Sequence, residues 1–181
     1  MFVDKQIKDS ISNGEIVIDI YDEKNIAPAG YYFHLGKTLL IPEPGQIINP
    51  MGGDDPKYQK IDISTETYNL KPGEFVLGQT KEKLSLSNNI GMFIDGRTTL
   101  ARLGLSIHIT ATWIHPGHTD SIITLEIHNS GNHILLLQEN LSIGKGIFFK
   151  STEVSEVAYN QMGIYPTQSE VMGADVPPYN K

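Results

Sequence analysis

Ile122-Ile123-Thr124-Leu125-Glu126-Ile127-His128 sets Ile123, Leu125 and Ile127 on one side of an extended chain and Thr124, Glu126 and His128 on the other. A period of two marks a strand with one buried face. Upstream, Leu105 to Trp113 alternates in the same way. Leu105, Ile107, Ile109, Ala111 and Trp113 fall on one side, and Ser106, His108, Thr110 and Thr112 on the other, which predicts a second strand. Outside these two, Pro- and Gly-rich punctuation cuts the chain into short β-rich segments: Pro42-Glu43-Pro44-Gly45, Asn49-Pro50-Met51-Gly52-Gly53 and Lys71-Pro72-Gly73. Many short strands between turns predict a sandwich, barrel or jelly roll. Residues 49 to 60, polar and Gly-rich, predict a surface loop.

At the start, Val3, Ile7 and Ile11 recur at helical spacing, with Asp4 near the first turn and Asn13-Gly14 as a stop. That predicts a short N-terminal helix. Ile16, Ile18 and Ile20 then alternate as a strand from Glu15 to Tyr21. Beyond Lys150 the apolar pattern fades, and the expected division is one β domain over 1–162 and a flexible tail over 163–181.

The 181 residues suffice for a single domain with its own core. Hydrophobic residues make up 39% and charged residues 19%, ordinary for a soluble protein. The longest apolar runs, Ile134 to Leu137 and Ile147 to Phe149, are strand-sized, so no membrane span is expected. Met1-Phe2-Val3-Asp4-Lys5 lacks the basic-then-apolar order of a signal peptide. The absence of cysteine excludes a disulfide scaffold and cysteine-ligated zinc, and suits a cytoplasmic setting. A net charge of −7 argues against binding a nucleic-acid polymer, yet leaves room for one nucleotide held by a few local cations.

Three places could carry chemistry. In Asp95-Gly96-Arg97-Thr98-Thr99-Leu100-Ala101-Arg102-Leu103-Gly104, Thr98 or Thr99 can cap a very short helix that Gly104 ends. The free N–H groups, hydroxyls and Arg97 there suit phosphate oxygens, or else form a capped structural turn. Glu126 is either a solvated strand residue or, in a cleft, a general acid–base. His115-Pro116-Gly117-His118 has loop-metal spacing but no neighbouring cysteine or carboxylate pair, so no metal site is expected.

In order along the chain, several segments resemble the dCTP deaminase family, relatives of the trimeric dUTPases. Pro72-Gly73-Glu74-Phe75-Val76-Leu77-Gly78-Gln79-Thr80 is similar to its PGEFVLGxT. Gly96 to Leu105 is similar to GRSSLARLGL, His108 to Ala111 to HxTA, Ile114 to Gly117 to IDPG, and Ile123 to Asn129 to ITLELxN. The resemblance covers roughly residues 3 to 163. It implies a distorted jelly-roll β-barrel of the dUTPase-like type, assembled as a homotrimer with active sites at subunit boundaries. It also implies zinc-independent deamination of a deoxycytidine nucleotide, dCTP to dUTP plus ammonia, with no tightly bound cofactor and magnesium on the phosphates.

By the same resemblance Glu126 is the general base, with Thr98 and Arg102 holding the water and carboxylate. Arg97 and Thr99 are phosphate-side residues, and Ile109 and Ala111 contact the base. Thr124 lies beside Glu126 at the substrate, His115 lies by the sugar, and Tyr159 and Gln161 close over the nucleotide. This chain departs from the family where His115 replaces an aspartate, where Tyr32 replaces another, where His118-Thr119-Asp120 replaces an aromatic-x-Gly, and in a missing tail lysine. Loss of the aspartate at 115 implies no pyrophosphatase activity. A catalytically lost nucleotide-binding or regulatory trimer, and a deaminase for a modified pyrimidine nucleotide, are the alternatives.

Overall fold

The computed structural model describes residues 1–157, 159–162, 165 and 167–176. The N-terminal helix α1 (Asp4–Ser12) forms as the spacing predicts, with Ile7 fully buried and Gly14 at φ +72 just past its end. A glycine is favoured there because a Cβ would clash in the left-handed region. Among the described residues, fourteen short strands follow. They are β1 (Ile16–Ile18), β2 (Ile26–Ala27), β3 (Gly30–His34), β4 (Thr38–Pro42), β5 (Tyr58–Asp62), β6 (Tyr68–Leu70) and β7 (Phe75–Gln79). After these come β8 (Leu84–Leu86), β9 (Ile90–Gly96), β10 (Leu105–Ser106), β11 (Trp113–Ile114), β12 (Thr124–Asn129), β13 (Leu135–Leu137) and β14 (Ser142–Lys150). The short helix α2 (Thr98–Arg102) separates β9 from β10, and α3 (Tyr159–Met162) follows β14.

Two antiparallel five-stranded sheets carry the fold, in the orders β10-β12-β7-β4-β5 and β11-β9-β14-β3-β2. The pairs β1-β8 and β13-β6 complete a distorted jelly roll. Its core is one cluster that draws Phe33, Leu39, Val76, Ile94, Leu125, Ile127 and Phe148 from both large sheets, with Ile7 of α1 sealing it. The period of two in β12 is realised as read: Ile123, Leu125 and Ile127 are buried, while Thr124, Glu126 and His128 are half-buried on the outer face. No helix among the described residues is long and apolar enough to cross a membrane.

Three expectations need correction. The strand expected over Leu105 to Trp113 is two two-residue strands in different sheets, β10 on β12 and β11 on β9. The chain crosses from one sheet to the other between them, so Leu105 and Ile107 are buried while Ile109 is 56% exposed. The strand expected to reach Tyr21 stops at Ile18, and Ile20 is exposed. Residues 43–57 form the loop expected nearby, but β5 begins at Tyr58, inside the span read as loop.

Of the tail expected to be flexible over 163–181, residues 163, 164, 166 and 177–181 lie outside the described residues. Residues 167–176 lie as a strap over the outer face of β12, β7, β4 and β5. Ser121 Oγ and the Ile122 N–H bind both sides of the Gln168 peptide, and Val171 N–H donates to Gln79 Oε1 at 2.8 Å. Glu170 accepts from Thr38 Oγ1 at 2.8 Å and from Lys60 at 2.6 Å. Val171 itself is buried against Leu40 and Leu77, with Tyr58 and Phe75 beside them. Gly173 is required there, because a Cβ would come within 2.3 Å of the Tyr58 ring.

Candidate active site

Where the strap crosses the sheet it walls a cavity of about 500 Å³. Its floor is the outer face of β12 and β7, carrying Thr124, Glu126, Phe75 and Leu77. The loop after β11 supplies His115 and His118, and α3 supplies Tyr159. The strap contributes Gln168, Met172 and Gly173. An apolar hollow with a few convergent polar groups is the form small-molecule sites take.

Glu126 owes its position to the sheet crossing. Its backbone N–H still bonds Ile107 O at 2.9 Å, but beyond Ser106 the neighbouring strand has left the ladder. The Glu126 side chain takes the place of the missing strand: Oε2 accepts the Ile109 N–H at 2.7 Å. One carboxylate oxygen is thereby fixed and the other has no partner among the described residues. Ile109 thus meets Glu126 through its backbone, and Ala111 lines the cavity itself.

His115 lies flat against the Tyr159 ring, with centroids 5.4 Å apart and planes 6° apart. His118 is buried beneath, with Nε2 at 3.3 Å from Ser121 O. Burial pushes its imidazole below the ordinary histidine value, so near neutral pH it is uncharged and Nε2–H donates to that carbonyl. Burial pushes the Tyr159 phenol up, which keeps it a neutral donor. Among the described residues no group of three or more His, Cys, Asp or Glu has the arrangement to hold a metal.

Arg97, Thr98, Thr99 and Arg102 lie elsewhere on the chain and do not line the cavity. Neither threonine caps α2. Arg97 is the N-cap, without a side-chain bond, and Thr98 opens the helix. The expected stop does form: Gly104 has φ +89, and its N–H bonds Ala101 O at 3.0 Å. Arg97 sits 4.6 Å over the Tyr32 ring, and its NH1 donates to Ser142 O at 3.4 Å. Tyr32, in the place of an aspartate, therefore offers a π face to the guanidinium.

Gln161 is exposed and outside the cavity. The glutamine that reaches it is Gln168, only 7% exposed, whose Oε1 accepts from Thr124 Oγ1 at 3.0 Å. Sequence reading missed Gln168 because a strap held by backbone-to-side-chain bonds has no hydrophobic period. Tyr165, a further wall residue, was missed for the same reason.

Two jelly-roll sheets with a carboxylate-bearing cavity beside a sheet crossing place the chain in the class of all-β jelly-roll proteins. Within that class, a family model described as dCTP deaminase-like matches residues 1–151, and the chain belongs to that family. A "dCTP deaminase, dUMP-forming" of Methanosphaerula palustris is 34% identical over 161 residues, 88% of this chain and 86% of that protein. One of Methanosphaera stadtmanae with the same name is 33% identical over 186 residues, 98% of this chain and 91% of that one. Among solved structures, 2'-deoxycytidine 5'-triphosphate deaminase from Agrobacterium tumefaciens superposes with a TM-score of 0.65 at 15% identity. That match covers 83% of this chain and 47% of the other, so this chain spans about half the length of that protein, and the likeness is one of fold.

Proposed function

We propose that this protein is a zinc-independent deaminase that hydrolyses dCTP to dUTP and ammonia, with Glu126 as the proton shuttle. The observation that carries this reading is the half-used carboxylate, Glu126 Oε2 tied to Ile109 N–H and the other oxygen left for a water. The chain has no cysteine, so the cysteine-held zinc of other nucleobase deaminases has no ligands here. Glu126 takes a proton from water as hydroxide adds to C4 of cytosine, and delivers it to ring N3. The proton of the new C4 hydroxyl then passes through the same carboxylate to the amino group. Ammonia leaves and a C4 carbonyl remains.

No lysine or arginine among the described residues lines the cavity, and a triphosphate needs cations. Arg97, Thr99 and the start of α2 from a neighbouring copy supply them in a homotrimer whose sites lie at subunit boundaries, with Thr98 and Arg102 set against the water and Glu126. Magnesium accompanies the phosphates and no resident cofactor is used. This chemistry suits a cytoplasmic setting.

The product distinguishes two readings. His115, stacked on Tyr159 where the family has an aspartate, favours dUTP. The names of the curated relatives favour dUMP. Incubation with a panel of pyrimidine nucleotides, with ammonia and released pyrophosphate measured separately, decides. Ammonia from dCTP without pyrophosphate supports the first reading, and equal amounts of both establish the second. Ammonia from a different cytosine nucleotide but not from dCTP, or from none, overturns the proposal.

A further inference from the structure

Thr124 faces the cavity beside Glu126, yet its hydroxyl is already engaged, donating to Gln168 Oε1 at 3.0 Å. Gln168 is held as firmly as any residue of the strap. Its N–H donates to Ser121 Oγ at 2.6 Å, its carbonyl accepts the Ile122 N–H at 2.9 Å, and the residue is buried. With Oε1 on Thr124, the NH₂ group of this cavity-lining residue makes no hydrogen bond among the described residues. Glu126 lies two residues along the same face, about 7 Å away in a strand, so its negative charge favours the donor end over the carbonyl.

We infer that Thr124 is a positioning residue: its hydroxyl holds Gln168 Oε1, which leaves the amide N–H donors for the O2 acceptor of the bound pyrimidine. This rests on reading the cavity as a cytosine-nucleotide site and names how that site recognises its base. Cytosine presents its O2 acceptor to such a donor and keeps the N3 lone pair for the proton that Glu126 delivers. A hydrogen bond left unmade in a buried site costs more than the bond itself gains.

The test is a double-mutant cycle on the full-length protein, with KM and kcat for dCTP and calorimetric dCTP binding read for each variant. Thr124→Val keeps the shape and removes the hydroxyl. It is expected to raise KM and Kd about 3–10-fold, as loss of one hydrogen bond should, and to lower kcat by less. Thr124→Ser should restore most of the affinity. In the Gln168→Ala background, Thr124→Val should add nothing, because there is no amide left to orient. An equal loss from Thr124→Val in both backgrounds would show that Thr124 touches the nucleotide itself, and would overturn the proposal. So would a Thr124→Val protein that binds dCTP as the wild type does. A wild-type protein that neither binds nor turns over dCTP removes the functional reading, and this proposal with it. Wild-type binding with an uncoupled cycle removes this proposal alone.

Discussion

Ile109 and Glu126, seventeen residues apart, are joined by a 2.7 Å hydrogen bond from the backbone N–H of one to the carboxylate of the other. The bond stands where a strand would have continued, and it fixes one carboxylate oxygen at a break in the sheet. A carboxylate oxygen held by a backbone donor is preorganised, which is where much of an enzyme's positioning advantage comes from.

Shortening that carboxylate should therefore be costly even though its charge is kept. Glu126→Asp draws the oxygens back by one methylene, so they cannot reach both Ile109 N–H and a water at the ring. The expected fall in kcat is about 10²-fold, the scale of a 1 Å misplacement. Steady-state kinetics with dCTP checks it, and an Asp variant of wild-type activity would contradict it.

Shared sites predict complementation. Glu126→Gln and Arg102→Ala should each be inactive alone, since in the proposed trimer each breaks one side of a shared site. Unfolded together and refolded as mixed trimers, about one site in four should pair an intact Glu126 with an intact Arg102 from its neighbour. Recovery of roughly a quarter of the activity is expected, whereas a site within one chain would recover none.

The strap should matter to stability as well as to binding. A chain ending at residue 166 loses the Val171 seat on Leu40 and Leu77 and the ties to Ser121, Gln79 and Thr38. Burial of one valine is worth about 2 kcal/mol, or about 4 °C in Tm for a domain of this size. A lower Tm and a raised KM are expected together. An unchanged Tm would mean that the strap does not rest on the sheet in solution.

His118 gives a pH dependence with a definite sign. Its imidazole titrates below the ordinary value of 6.5 when folded, because burial disfavours its charge. The unfolded chain therefore binds the proton more readily, and stability is lost as pH falls from 6.5 toward the depressed folded value. The full contribution is present above 6.5. His118→Gln, whose Nε2–H can keep the bond to Ser121 O, should flatten urea-unfolding stability between pH 7.5 and 5.5. Equal slopes for the two proteins would contradict the assignment.

The sequence made the sheet faces legible wherever one side of a strand is buried. Ile123, Leu125 and Ile127 fall inside as their alternation requires, leaving Thr124 and Glu126 for the site. The same alternation misled at Leu105 to Trp113, because a period of two continues unbroken through a residue where the chain changes sheets. The place of the crossing is set by which neighbour is available, β12 or β9, and that is a tertiary fact. Gln168 and the strap were invisible for another reason: Ser121, Thr124 and Gln79 hold them by polar bonds, which leave no pattern in hydrophobicity.

Glu126 is proposed to move the proton when dCTP is deaminated. Ammonia release from dCTP by the wild-type protein and by Glu126→Gln, alongside dCTP binding by both, tests it in one comparison. Glutamine keeps the shape and can still accept from Ile109 N–H, but it cannot take a proton from water. One ammonia per dCTP consumed is expected from the wild type, and a fall in kcat of about 10²–10⁴-fold in the variant with dCTP binding retained. A Glu126→Gln protein that releases ammonia from dCTP at the wild-type rate would contradict it.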